Sequence, residues 1–199
     1  MKHSNANFGA IGFKAKTGRA IAVVLRGPAD APQFVRRIEL VLSDPRTPAT
    51  CQPYHEVMEL PWNQSQIKVK PLVHKIERVA ASALRELIGE LQSDGLTVIS
   101  VGIAGSADRD LSRIGNPHIR AHAAEGVLFR QVLESAAKAN GLAKHVFTER
   151  DLEAQAASTL QCTIAKLSAC LTSLGRSAGP PWRAEQRVAA TAAWLALLG

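Results

Sequence analysis

The run LTVISVGIAG, residues 96–105, carries no charged side chain. Side chains of a strand alternate between its two faces, so a strand apolar at nearly every position must be covered on both. In chains with interleaved helices this coverage comes from helices packed on either side of a sheet. This one segment therefore predicts a layered α/β domain with residues 96–105 as its central strand. The flanks agree. Leu72, Ile76, Val79, Ala80, Ala83, Leu87 and Leu91 keep helical spacing, and Ser93, Asp94 and Gly95 supply the stop. Beyond the strand, Asn116 can cap a helix that has Pro117 at its first position and ends at Gly141.

The segments before the central strand read as three strands. Two apolar runs between Phe8 and Arg26 flank KTGR, where Gly18 suits a tight hairpin turn, and QFVRRIELVL at 33–42 is rich in branched residues. The next stretch, through Gln66, is proline-punctuated and reads as a long loop, a lid or an edge cover. Downstream, KHVFT at 144–148 is a short strand. Thr148 and Asp151 form a capping-box-like pair opening a long helix whose stripe runs from Ala156 to Leu174 and ends before Gly175. GRSAGPP is a linker, and residues 182–198 form a last helix, apolar nearly all round in AATAAWLALL and hence packed on the same domain. The predicted division is residues 1–175 as the α/β domain and 176–199 as the packed C-terminal helix.

The order of these elements, three strands led by a hairpin, then helix, strand, helix, strand and terminal helices, resembles the ribonuclease H-like fold of nucleases and Holliday junction resolvases over roughly residues 8–198. The texture of TAAWLALL is similar to the alanine-rich last helix of the resolvases. That resemblance implies a mixed sheet with helices on both faces. It also implies a pair of divalent ions held by acids on the first strand, near the fourth strand and on the last helix. Here the sequence departs from the pattern. NFGAIGFKA and LTVISVGIAG hold no acid, and Glu185 is the only acid at the start of the last helix. The usual two-metal chemistry is therefore expected to be lost or moved.

Charge supplies the leading expectation for function. The net charge is +7, and residues 1–50 hold eight Lys/Arg against three Asp/Glu. Lys14, Lys16, Arg19, Arg36 and Arg37, with Arg120 further on, are the candidate binding residues for an anionic partner, nucleic acid among them. A non-catalytic cytoplasmic domain of this kind is the first reading. A structural or assembly module that oligomerises through its C-terminal helix is another. Three cysteines without CxxC spacing argue against disulfides and thiolate zinc sites and fit the reducing cytoplasm. No apolar run is long enough to span a bilayer and no leader pattern is present at the start, so neither membrane insertion nor secretion is expected.

A hydrolase is the alternative, and NPHIRAHAAEGVLF at 116–129 is its lead. On a helix His118, His122, Glu125, Phe129 and Val132 share one stripe. Two imidazoles one turn apart with a carboxylate on the same face make His118, His122 and Glu125 a candidate metal set for a transition ion, or an acid–base site without metal. A carboxylate on a packed face needs a partner. Arg120 and Arg130 lie on other faces, so that partner must come from another element. The competing reading places these groups at a solvent-facing first turn or among hydrogen-bonded core polars. TERDLE at 148–153 adds Glu149 and Asp151 as candidate catalytic acids at a strand end, with capping as the plainer account. GIAGSADRD can offer backbone amides to an anion. Tyr54, His55 and Glu56 of the long loop can join a site, or QPYHEVMELPW can serve as pegs that hold the loop down.

Overall fold

Strand β1 (Phe8–Lys16) turns through Thr17 and Gly18 into β2 (Arg19–Arg26), and the register pairs Lys16 with Arg19. That two-residue loop requires a positive φ, which Gly18 supplies at 72°. Strand β3 (Gln33–Val41) continues the antiparallel ladder on β2, whereas β4 (Thr97–Gly105) and β5 (Ala143–Thr148) run parallel to β1. The sheet order is β3-β2-β1-β4-β5. The computed structural model describes residues 7–199, so the N-terminal reading for residues 1–6 lies outside the described residues.

Period-two alternation sorts the sheet into two cores. Ile11, Phe13, Ala22 and Val24 face one side, packed against α2 (Lys70–Ser93) and α3 (Pro117–Ala139) through Ile76, Leu84, Phe129 and Leu133. Ile21, Val23 and Leu25 face the other, where α4 (Leu152–Thr159), α5 (Ile164–Ala178) and α6 (Ala184–Ala196) lie. A short helix, α1 (Trp62–Lys68), and two 3₁₀ turns, Pro48–Thr50 and His55–Val57, give order to the segment expected to be a loop. Both faces of β4 are covered from Ser100 to Gly105, whereas Thr97 and Ile99 near its start remain exposed.

Helix α6 explains the glycines of β1 and β4. Gly12 and Gly102 are paired across the two strands. A Cβ on Gly12 would sit 1.9 Å from the carbonyl oxygen of Ala189, and one on Gly102 would sit 2.1 Å from that of Ala192. The helix backbone thus rests on the sheet backbone, which only glycine below and alanine above permit. Residues 189–196 are all buried within the chain. The all-round apolarity of this helix is spent between the sheet and α4 and α5, which leaves no broad apolar face of α6 for the expected oligomer contact.

The long helix expected from Asp151 to Leu174 is two helices. Gln161 takes a φ of 51°, the Cys162 amide bonds to the Ala157 carbonyl, and the Thr163 side chain caps α5 by accepting from the Lys166 amide. A continuous apolar stripe hid this break because both halves face the same core. Helix α5 also passes Gly175, whose missing side chain makes room for the indole of Trp182.

Candidate functional site

Pro117 and the Asn116 side chain, which accepts from the Ile119 amide, start α3 at the carboxyl-terminal edge of the sheet. The stripe His118, His122, Glu125, Phe129 then descends from solvent into the core. His118 and His122 are exposed, whereas Glu125 and Phe129 are 0% exposed. The partner required by a buried carboxylate comes from the segment before α1, as the geometry of α3 demanded. His55 approaches with Nδ1 2.8 Å from Oε1 of Glu125, and the His55 backbone amide donates to the same oxygen at 3.3 Å. Donation from Nδ1–H to Glu125 corresponds to the neutral tautomer whose lone pair lies on Nε2.

The three imidazoles converge. Ring centroids lie 4.4 Å apart for His55 and His122, 4.5 Å for His118 and His122, and 5.0 Å for His55 and His118, all edge to face. Nε2 of His118 and Nε2 of His122 are 3.2 Å apart. One ring nitrogen from each histidine lies within 4.8 Å of the other two. Nε2 of His55 and Oε2 of Glu125 are buried without a hydrogen-bond partner among the described residues.

Local packing holds His55 there. Tyr54 stacks on Trp62 at 5.4 Å, and the Arg120 guanidinium sits 5.7 Å from the same indole while donating to the Ile114 carbonyl at 3.0 Å. Burial pushes the Tyr54 hydroxyl above its ordinary pKa. Pro53 and Val57 are buried on either side. The pegs and the site are thus the same segment. The sequence-based set of His118, His122 and Glu125 is corrected accordingly: Glu125 lies behind His55 rather than beside the other two, and His55 is the third converging side chain. The signal for it in the sequence was the unmet need of Glu125 for a partner.

The acids of residues 148–153 stand apart from this cluster. Glu149 is bound by Lys14, and Asp151 accepts from the Thr148 hydroxyl, so neither contacts a histidine of the cluster. Their expected place beside His118, His122 and Glu125 is not what the fold gives. Strands β1 and β5 are separated by β4, and Lys14 reaches across the sheet end to Glu149. Glu185, at the start of α6, is bound by Lys16, and the hydrogen bond from that ammonium holds its carboxyl below the ordinary range. Two carboxylates, one after β5 and one at the start of α6, that are each paired with a lysine of β1 do not fit a pair of divalent ions, which needs bridging acids with free lone pairs.

The candidate anion-binding residues are also engaged within the chain. Besides Lys14 and Lys16, Arg19 lies 3.6 Å from Glu39, Arg36 pairs with Glu90 and Asp94, and Arg37 donates to the carbonyls of Gly179, Pro180 and Pro181. Arg120 is stacked as described. They do not form one free basic face. Lys14, Lys16 and Arg19 do line one cavity of about 540 Å³ with Gln52 and Gly126, next to Glu125 in the chain. The SADRD loop is tied to α3 by Arg130, which donates to the Ser106 carbonyl at 2.8 Å and pairs with Asp108 and Glu134.

A five-stranded mixed sheet with this order and helices on both faces is the ribonuclease H-like fold in a resolvase-like layout. The chain is similar in structure to Thermus thermophilus RuvC: a RuvC structure in complex with a Holliday junction substrate matches with a TM-score of 0.51 and 11% identity, covering 94% of this chain and 90% of that one. A second Thermus thermophilus RuvC structure matches with a TM-score of 0.51 and 10% identity, covering 94% and 91%. At that identity the likeness is one of fold. No protein-family model matches the sequence, and no curated protein matches it either. Among the described residues no helix is long and apolar enough to cross a membrane.

Proposed function

We propose that this chain is a hydrolase of an anionic substrate whose reacting centre is the cluster of His55, His118, His122 and Glu125, displaced from the strand ends where the acids of its fold relatives are expected. The observation that carries the reading is the Glu125–His55 contact. A fully buried carboxylate accepting from Nδ1–H leaves Nε2 as the basic atom, the arrangement by which an imidazole takes a proton from water or a hydroxyl. The attacking oxygen's proton passes to Nε2, and Glu125 holds the imidazolium that forms. Lys14, Lys16 and Arg19 line a neighbouring cavity, where an anionic substrate would have to exchange with the acids that pair with them, Glu149, Glu185 and Glu39. The similar fold of a RuvC structure in complex with a Holliday junction substrate supports nucleic acid as the first class to test.

A panel of labelled DNA and RNA strands, duplexes and junctions, together with a chromogenic phosphodiester, tests this. Turnover that is abolished by His55→Ala and retained by Glu149→Gln is expected. No turnover on any of them, with zinc, manganese, cobalt and magnesium each supplied, overturns the reading.

Non-catalytic binding of a polyanion is the second reading, favoured by the three cations around one cavity and by the lysine-bound acids at the strand ends. It expects a gel shift that weakens steeply with salt and is reduced by Lys14→Ala, without cleavage. Absence of any salt-dependent binding removes it.

A further inference from the structure

We infer that His55, His118 and His122 form a mononuclear transition-metal site of the zinc class, with Glu125 acting on it through His55. This rests on the same centre as the hydrolase reading but changes the role of His55: with its Nε2 lone pair given to an ion, the bound ion rather than the imidazole would activate water, and the site itself stands on geometry rather than on turnover. Two imidazole nitrogens bound to one tetrahedral zinc ion at ~2.0–2.1 Å lie about 3.3 Å apart. The Nε2 atoms of His118 and His122 already lie 3.2 Å apart. His55 brings a third nitrogen within 4.8 Å of both, so closing the set takes a shift of about 1–2 Å to reach the same tetrahedral spacing.

A hydrogen bond between His118 and His122 explains one of these contacts and no more. It leaves Nε2 of His55 buried without a hydrogen-bond partner among the described residues, a state that costs free energy unless something binds there. The contact behind His55 completes the pattern. Metal-bound histidines give their second N–H to a carboxylate, which sets ring orientation and tautomer, and Glu125 takes the Nδ1–H of His55 in this way.

Donor chemistry selects the ion. Three neutral imidazoles suit zinc, cobalt, nickel or copper and are poor ligands for magnesium or calcium, which prefer oxygen. Three protein ligands also leave a fourth position for water. Glu125 is a positioning residue here, not a ligand.

Apo-protein prepared without a histidine tag should be titrated with zinc in competition with a chromophoric chelator, and separately with cobalt while its visible d–d absorption is followed. One ion per chain is expected. His55→Ala and His122→Ala should each weaken binding by more than about 100-fold, beyond the 10–100-fold typical of an outer partner. Because His122 is exposed, its replacement leaves the core intact. Glu125→Gln should weaken binding by roughly 10–100-fold while a tetrahedral cobalt spectrum persists, as a role behind the ligand requires. No stoichiometric binding of either ion, or wild-type affinity in His55→Ala and His122→Ala, overturns the inference. Metal binding without turnover of any substrate would sink the hydrolase and leave the metal site standing. Turnover that survives complete metal removal, in a protein that binds neither ion stoichiometrically, would leave the hydrolase standing and sink the metal site.

Discussion

Replacing His55 by alanine removes the one side chain that, among the described residues, hydrogen-bonds a carboxylate buried to 0% exposure. Leaving a buried acceptor without its partner costs about 1–3 kcal/mol, and more when the acceptor is charged. The His55 ring retains 15% exposure, and its backbone amide still donates to Glu125, so about 3 kcal/mol is expected. For a chain of this size each kcal/mol lowers the melting temperature by about 2–4 °C, giving a fall of roughly 6–12 °C. Glu125→Leu alone strands the His55 donors. The double variant removes both polar groups and should lose less than the two singles combined, with a coupling of about 1–3 kcal/mol. Urea denaturation of the four proteins, followed by circular dichroism, closes the cycle. If the two destabilisations add to within about 0.5 kcal/mol, the contact does not couple the loop to α3 and the account of the site is wrong.

Two further perturbations test the frame around the site. Gly102→Ala places a methyl group 2.1 Å from the Ala192 carbonyl oxygen, so α6 must lift off the sheet, and calorimetry should find a loss of about 1–3 kcal/mol or more. The same change at Gly89, where a Cβ meets nothing within 4 Å, should cost nothing. If both are silent, the close packing of α6 is not required. Lys16 holds the Glu185 carboxyl below its ordinary range, so the resulting stability is complete above the unfolded-state pKa, about 4.3, and fades as pH falls through the lower folded value. Glu185→Gln should therefore be less stable than wild type at neutral pH and approach it in acid. A stability gap that stays constant from pH 7 into the acid range would refute this.

How much the sequence disclosed differs between the sheet and the site. Residues 96–105 demanded cover on both faces, and the order of hairpin, third strand and interleaved helices led to the observed layout because hydrophobic period is a local property of the chain. The stripe of His118, His122 and Glu125 was visible for the same reason, since i, i+4 and i+7 are neighbours on one helix. The break at residues 160–163 was not, because two helices facing one core keep a single apolar pattern, and only the Gln161 backbone and the Thr163 cap reveal it.

The sequence by itself thus determined that the sheet's central strands lack acids, that α3 presents two imidazoles above a carboxylate, and that this carboxylate needs an outside partner. Tertiary structure alone decided which partner. His55 is 70 positions away in the chain, in a segment without helical or strand period, and it meets Glu125 only because Tyr54, Trp62 and Arg120 pin that segment against α3. Tertiary structure likewise decided the fate of the basic residues. Lys14 and Lys16 read as free cations in a charge count, yet the parallel strand β5 brings Glu149 beside Lys14 and the start of α6 brings Glu185 beside Lys16, where Coulomb attraction at short range binds them. Local pattern is written in neighbours along the chain, whereas ion pairs and converging rings are set by the strand order and by helix packing, which no stretch of sequence contains.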